Sequence, residues 1–209
     1  MRQPSSCRTR GEDASRVDAD GRTSRSVATR KKIVRALIDL IHKGQLSPTA
    51  EQVAQCANVG LRTVFRHFDD MDALYREISC DLEAVVQPLL QVRLHATDWR
   101  ERLLQSIDIR SDLYDRVAAM HLAAQVHRHA SAYLTLSLME SAQLQRDLLR
   151  RMLPPEAARE PVLLDALEVA LSLEAWIRMR REQRLSAAQA REVMRLTVAA
   201  LLARAGLAR

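Results

Sequence analysis

Residues 61–67, Leu-Arg-Thr-Val-Phe-Arg-His, put Arg62, Thr63, Arg66 and His67 at i, i+1, i+4 and i+5, one side of a helix whose other side carries Val64. These side-chain types suit a nucleic acid. An arginine can donate two parallel hydrogen bonds to guanine O6 and N7, worth about 1–3 kcal/mol of discrimination. A threonine offers a hydroxyl to phosphate and a methyl to thymine. Arg66 can meet a phosphate or pair with an acid. A helix is also the element that fits the major groove of B-DNA, where every base pair presents a distinct pattern.

A short reading helix needs a frame. Thr49 and Gln52 have capping-box spacing, which starts a helix near Thr49 with Val53 and Ala54 inward. Ala57-Asn58-Val59-Gly60 is the turn. Asn58 tolerates a left-handed conformation, Val59 plugs the angle between the two helices, and Gly60 serves as an N-cap for residues 61–67. Ahead of them, Val34, Leu37, Ile38 and Ile41 stand at i, i+3, i+4 and i+7, giving a first helix over 26–43 that stops at Gly44. Val64 and Phe68 anchor the reading helix to it. Asp69 or Asp70 caps a fourth helix over 70–90 with the stripe Leu74, Ile78, Leu82, Val85 and Leu89, kinked or ended by Pro88.

The charge distribution points the same way. Residues 1–68 hold 13 Lys+Arg against 6 Asp+Glu, and residues 69–209 hold 19 against 20, so the net charge of +6 sits on the segment with the two short helices. That asymmetry suggests an anionic partner at this end. With 47% hydrophobic and 28% charged residues, few Gly and Pro, and abundant Ala, Leu and Arg, the chain reads as an all-α globular protein. It has no apolar run long enough for a membrane span and no apolar core of a secretory signal. Cys7, Cys56 and Cys80 have no paired spacing, which fits a reducing cytoplasm, and Cys56 is expected on a buried helix face. Residues 1–24 read as a disordered basic tail, 25–72 as a helix-turn-helix domain, and 73–209 as a helical body with helices near 98–110, 112–128, 131–152, 158–183 and 187–207.

The segments Ile33 to Gly44, Thr49-Ala-Glu-Gln-Val-Ala, Asn58-Val59, Thr63-Val-Phe-Arg-His-Phe68 and Leu74 occur in the order and spacing of one known family. Over about Ala28 to Ile78 the chain resembles the tetracycline-repressor (TetR) family of bacterial transcription regulators. Ser172-Leu-Glu-Ala-Trp-Ile-Arg-Met-Arg with Leu185-Ser186 is similar in style to the last two helices of many members. The resemblance implies an N-terminal DNA reader, a C-terminal domain for a small-molecule effector, and a homodimer that reads a partly palindromic operator. Gly60, Leu61, Arg62, Thr63, Phe65, Arg66 and His67 then form the DNA surface, His67 matching a position that contacts phosphate. Thr29, Arg30, Lys31 and Thr49 flank it at helix starts. Two positions depart from the family: Phe65 replaces a tyrosine and Met71 a lysine, each usually a phosphate contact. Their loss implies weaker binding with a shallower salt dependence, which the basic tail can offset.

The family binds effectors among its middle helices, and Trp99, Leu103, Ile107, Tyr114, Met120, His121, Gln125, Met139 and Trp176 fall there. A mostly apolar set with a few donors implies a small hydrophobic or aromatic effector, although such residues at helical spacing also build plain cores. The last two helices carry Leu163, Leu164, Leu167, Leu171, Trp176, Val193, Leu196, Ala200 and Leu201, enough for an intrachain core on one side and a four-helix dimer interface on the other. His121, His127 and His129 have no carboxylate or cysteine at ligand spacing, so no metal is expected. No nucleophile elbow or phosphate-binding glycine loop occurs, no cofactor is implied, and nothing supports an enzyme. The readings are thus a dimeric DNA-binding regulator, most simply a repressor released by ligand, or an effector-binding or protein-interaction module of the same fold with weakened DNA binding.

Overall fold

A computed structural model describes residues 12–79 and 95–207, with side chains from residue 24 onward. Every regular element among them is a helix. In chain order they are α1 (Glu12–His42), α2 (Ala50–Cys56), α3 (Leu61–His67), α4 (71–79), α5 (Trp99–His127), α6 (Ala132–Met152), α7 (Pro155–Ala158), α8 (Pro161–Ala170), α9 (Leu173–Ile177) and α10 (Ala187–Arg204). A 3₁₀ turn at Arg128–Ala130 joins α5 to α6, and a π turn at Arg178–Glu182 follows α9.

The local signals in the N-terminal third act as their chemistry requires. The amides of Gly44 and Gln45 donate to the carbonyls of Ile41 and Leu40, the paired bonds that close a helix, with Gly44 at φ +93°. Thr49 Oγ1 accepts from the Gln52 amide at 3.3 Å while Gln52 Oε1 accepts from the Thr49 amide at 2.8 Å. Asn58 adopts φ +49° at the turn. Asp70 Oδ1 accepts from the Ala73 amide at 2.7 Å and starts α4.

Two apolar cores result. In the first, Ile33, Leu37 and Ile41 of α1 pack with Val53, Val64, Phe68, Leu74 and Ile78, and Met120, Ala123 and Leu134 of the body close its far side. Ser131, which N-caps α6, also donates to Asp72, tying α4 to the body. The second core holds Leu103, Ile107 and Tyr114 of α5, Leu149 of α6, Leu164, Leu167, Leu171 and Trp176 around α8 and α9, and Met194 and Val198 of α10.

Several expectations change. The helix expected from 26 begins at Glu12, so residues 12–24 of the expected tail are helical, while 1–11 lie outside the described residues. Extending a nucleated helix costs far less than starting one. The stripe members Leu82, Val85 and Leu89, with Pro88, also lie outside the described residues, as do Cys7 and Cys80. The helices expected over 98–110 and 112–128 are one continuous α5, because Ser111 returns its hydroxyl to the Asp108 carbonyl on the previous turn instead of breaking the helix. The single helix expected over 158–183 is divided. Ser172 accepts from the Ala175 amide and starts α9 afresh after the end of α8 at Leu171. The apolar spacing runs on through this break, so periodicity could not reveal it. Cys56 is exposed; Ala57, four residues after Val53, takes the inward position instead.

Candidate nucleic-acid interface

On α3 only Val64 is buried. Leu61, Arg62, Phe65 and Arg66 are exposed, and Thr63 and His67 are half-buried. Positions 61, 62, 65 and 66 form one continuous face, and Phe65 keeps 48% of its surface open. That is unusual for an aromatic ring with an apolar core one turn away. At the entrance of α3, Gly60 has φ −70° and ψ 147°, and a Cβ there would meet nothing nearer than Thr63 Oγ1 at 4.0 Å. Neither backbone nor packing demands a glycine, so its effect is to leave room at the helix start. Thr49 is exposed; its hydroxyl accepts within the capping box and also hydrogen-bonds the Glu51 carboxylate, which the Glu51 amide and this contact hold below its usual range. Lys31 is exposed as well.

Arg30 and Thr29 do something other than hold phosphate. Arg30 Nε and Nη2 donate to Glu77 Oε1 and Oε2 at 3.0 and 2.8 Å, and Nη1 donates to the His67 carbonyl at 2.6 Å. Its guanidinium lies 4.1 Å from the Phe68 ring centroid. One side chain on α1 therefore fixes the end of α3 against α4. The contact holds Glu77 below the usual carboxylate range, chiefly through the hydrogen bond from Arg30. The Thr29 hydroxyl donates to the Arg25 carbonyl at 2.9 Å. At these two positions, flanking the DNA surface expected from the sequence, three of the five Arg30 N–H donors and the Thr29 hydroxyl proton are engaged within the chain. Met71, where the resemblance would put a lysine, packs against the first core.

His67 has its Nε2 buried without a hydrogen-bond partner. Burial first, then Arg66 and Arg30, push its pKa below 6.5, so the ring is neutral near pH 7 and adds no charge toward a phosphate. His127 shares this state: its Nε2 is buried and unpartnered beside the Tyr75 ring at 4.3 Å, and burial lowers its pKa too. Both groups take up protons more readily when unfolded, so their contribution to stability is complete above pH 6.5 and declines as pH falls below it. The melting temperature is expected to drop between pH 7.5 and 5.5, and a His127→Gln variant should show a smaller drop. An equal drop in both proteins would exclude His127 as a contributor.

A cavity of about 730 Å³ opens among α5, α6 and the α8–α9 junction. Tyr114, Met120 and His121 line it, as expected from the sequence. Leu103, Ile107 and Trp176 are instead fully buried in the second core, and Trp99 packs at that core's edge. Gln125 contacts His121 at 3.3 Å outside the lining, and Met139 is 61% exposed on the outer side of α6. These six lie outside the described lining because helical spacing reveals that a position is inward but not whether a void or a neighbour lies beyond. Sequence reasoning also missed Arg110, Gln145 and Glu174 on the cavity wall. Glu174 pairs with His121 at 3.1 Å, which lowers its pKa. Among the described residues no group of three metal-ligating side chains occurs, and no helix is long and apolar enough to cross a membrane.

No family model matches the chain, and no curated protein is detectably similar in sequence. Solved structures do match. A transcriptional regulator from Rhodococcus sp. Rha1 superposes with a TM-score of 0.66 at 16% identity, over 84% of this chain and 96% of that one. A protein from Syntrophomonas wolfei assigned to the TetR family of transcriptional regulators gives 0.58 at 13% identity, over 84% and 95%. Another so assigned, from Mesorhizobium loti, gives 0.53 at 17% identity, over 86% and 98%. At these identities the likeness is one of architecture, and with α1–α4 packed as described beside the helical body, the chain has the TetR-type fold.

Proposed function

We propose that this chain is a DNA-binding transcription regulator, acting as a homodimer in the bacterial cytoplasm and released from its operator by a small molecule. The observation that carries this reading is the face of α3, where Leu61, Arg62, Phe65 and Arg66 stand exposed on a helix held at its far end by Arg30. Arg62 reads a base edge, Thr63 and Phe65 add contacts to methyl groups and sugars, and Gly60, Thr49, Lys31 and Arg66 meet the backbone. Dimerisation rests on α8 and α10, whose outer faces leave Val162, Val169, Val193 and Leu196 exposed. Two reading helices must reach major-groove faces about 34–36 Å apart, or a multiple of that, which favours a partly palindromic operator. A ligand in the cavity would stabilise a dimer with its reading helices wrongly spaced.

Arg62→Ala tests the base-reading role. It should cost about 1–3 kcal/mol of preference at one operator base pair and leave the salt dependence of binding nearly unchanged. Mobility shift with DNA upstream of the chain's own gene, at two salt concentrations, measures both. Uniform weakening on all DNA would assign Arg62 to a phosphate instead.

A second reading has its own support. Met71 is packed into the core and Phe65 has no hydroxyl, so two routes to phosphate are missing. A module of the same fold with weakened DNA binding would show no shift even at low salt.

A further inference from the structure

Arg110 stands out on the cavity wall. Among the described residues, the wall's other charged groups are either paired or at the exposed rim: Glu174 with His121, Glu168 with Arg146, and Glu140 and Arg151 exposed. Arg110 is half-buried and has no carboxylate partner. Its Nη1 donates to the Tyr114 hydroxyl at 3.2 Å, and its Nε is buried with no hydrogen-bond partner at all. A donor left in that condition is rare and costly, and more so on a cation.

The same molecule shows what completes such a group. Arg30 gives Nη1 to a neutral oxygen, the His67 carbonyl, and gives its Nε–Nη2 edge to the two oxygens of Glu77. Arg110 repeats the first half: Nη1 goes to a neutral oxygen, that of Tyr114, and among the described residues no carboxylate pairs with the Nε–Nη2 edge. That edge has the spacing of a carboxylate's two oxygens. The surrounding wall is apolar, with Leu113, Val117, Leu148 and Leu149 nearby in the lining. A volume of about 730 Å³ suits a small organic molecule.

We propose that the cavity binds an amphipathic carboxylate, with the anionic head on the Nε–Nη2 edge of Arg110 and an aliphatic or aromatic body against the apolar wall. This names the effector class for the regulator proposed above and rests on that reading, but binding can be measured without DNA. It also supplies a route outward. The Tyr114 hydroxyl lies 2.6 Å from the Leu171 carbonyl and 2.9 Å from Gln145 Oε1, two acceptors for its one proton, and the Leu171 contact is the shorter. Leu171 is the break between α8 and α9, so drawing Arg110 toward a ligand acts on the end of the helix that presents Val162 and Val169.

Calorimetry on the full chain with decanoate and 2-naphthoate, beside 1-decanol and 2-naphthamide, tests the proposal. At least one acid should bind 10-fold or more tightly than its neutral counterpart. Arg110→Gln should abolish that preference while leaving affinity for the neutral compound in place, and Arg110→Lys should retain part of it. Equal affinity for acid and neutral compound, no acid binding up to millimolar concentration, or an unchanged preference in Arg110→Gln would overturn it. If Arg110→Gln does not fold, the wild-type comparison and Arg110→Lys decide the matter. A parallel mobility shift with the wild-type chain separates the two ideas: no acid preference with intact DNA binding refutes only the ligand class, and acid preference without DNA binding refutes only the DNA reading.

Discussion

Leu196→Glu is expected to leave the chain monomeric and to lower its affinity for operator DNA by roughly 10²–10⁴-fold, the gain that joining two half-site readers provides. Leu196 is 72% exposed on α10, beside Val193, and Val162 and Val169 on α8 are 80% and 69% exposed. Four large aliphatic side chains on two packed helices form a patch that monomeric proteins seldom leave open. Their neighbours on the inner side, Leu163, Leu164, Leu167, Met194 and Val198, are buried in the second core. The substitution therefore leaves the fold of one chain intact and puts an unpaired carboxylate into the surface proposed to pair two chains. Light scattering at micromolar concentration gives the mass, and mobility shift gives the affinity. Val126→Glu is the control, being exposed on α5 away from α8 and α10. A Leu196→Glu protein that still scatters as a dimer would move the interface elsewhere.

Arg30→Ala should destabilise the reading head by about 2–3 kcal/mol. The largest share is the charged donor lost from the half-buried His67 carbonyl, about 1.5–3 kcal/mol for bonds of this type. The stack on Phe68 adds about 0.5–1 kcal/mol. The pair with Glu77 adds less than about 1 kcal/mol, since both side chains are more than a third exposed. The three contacts share one group and will not add fully. Arg30→Lys keeps the charge but not the fork, so its loss should fall between. The consequence for function is sharper than the energy, because the same contacts set the angle of α3 against α1. DNA affinity should fall even at temperatures where the chain stays folded. Chemical denaturation and mobility shift on the same preparations measure the two effects. Unchanged DNA binding in a destabilised Arg30→Ala protein would show that α3 is placed by Val64 and Phe68 alone.

How much of this was legible beforehand depended on distance along the chain. The stop at Gly44, the capping box at Thr49 and Gln52, the left-handed Asn58 and the Asp70 cap all join residues within a few positions of one another. Local rules reach that far, and the inward stripes of α1 and α3 follow from the helical period itself. The reading face of α3 was legible for the same reason: one buried residue, Val64, orients all the others. Cys56 shows the limit even at short range. It and Ala57 are neighbours with similar claims to the core, and packing against α1 decided between them.

Beyond one element the local signals stop. By itself the sequence determined an all-helical chain, a helix-turn-helix in a basic N-terminal third, and the residues that helix can offer to DNA. The tertiary structure decided which cations are free to act. Arg30 looked like a phosphate ligand until Glu77, 47 positions away, closed on it. Arg110 drew no notice in the sequence, and among the described residues α6, α8 and α9 bring carboxylates to the same cavity wall but none to its guanidinium. Whether a charge is paired depends on what folding carries to it from far along the chain, and no period or spacing encodes that.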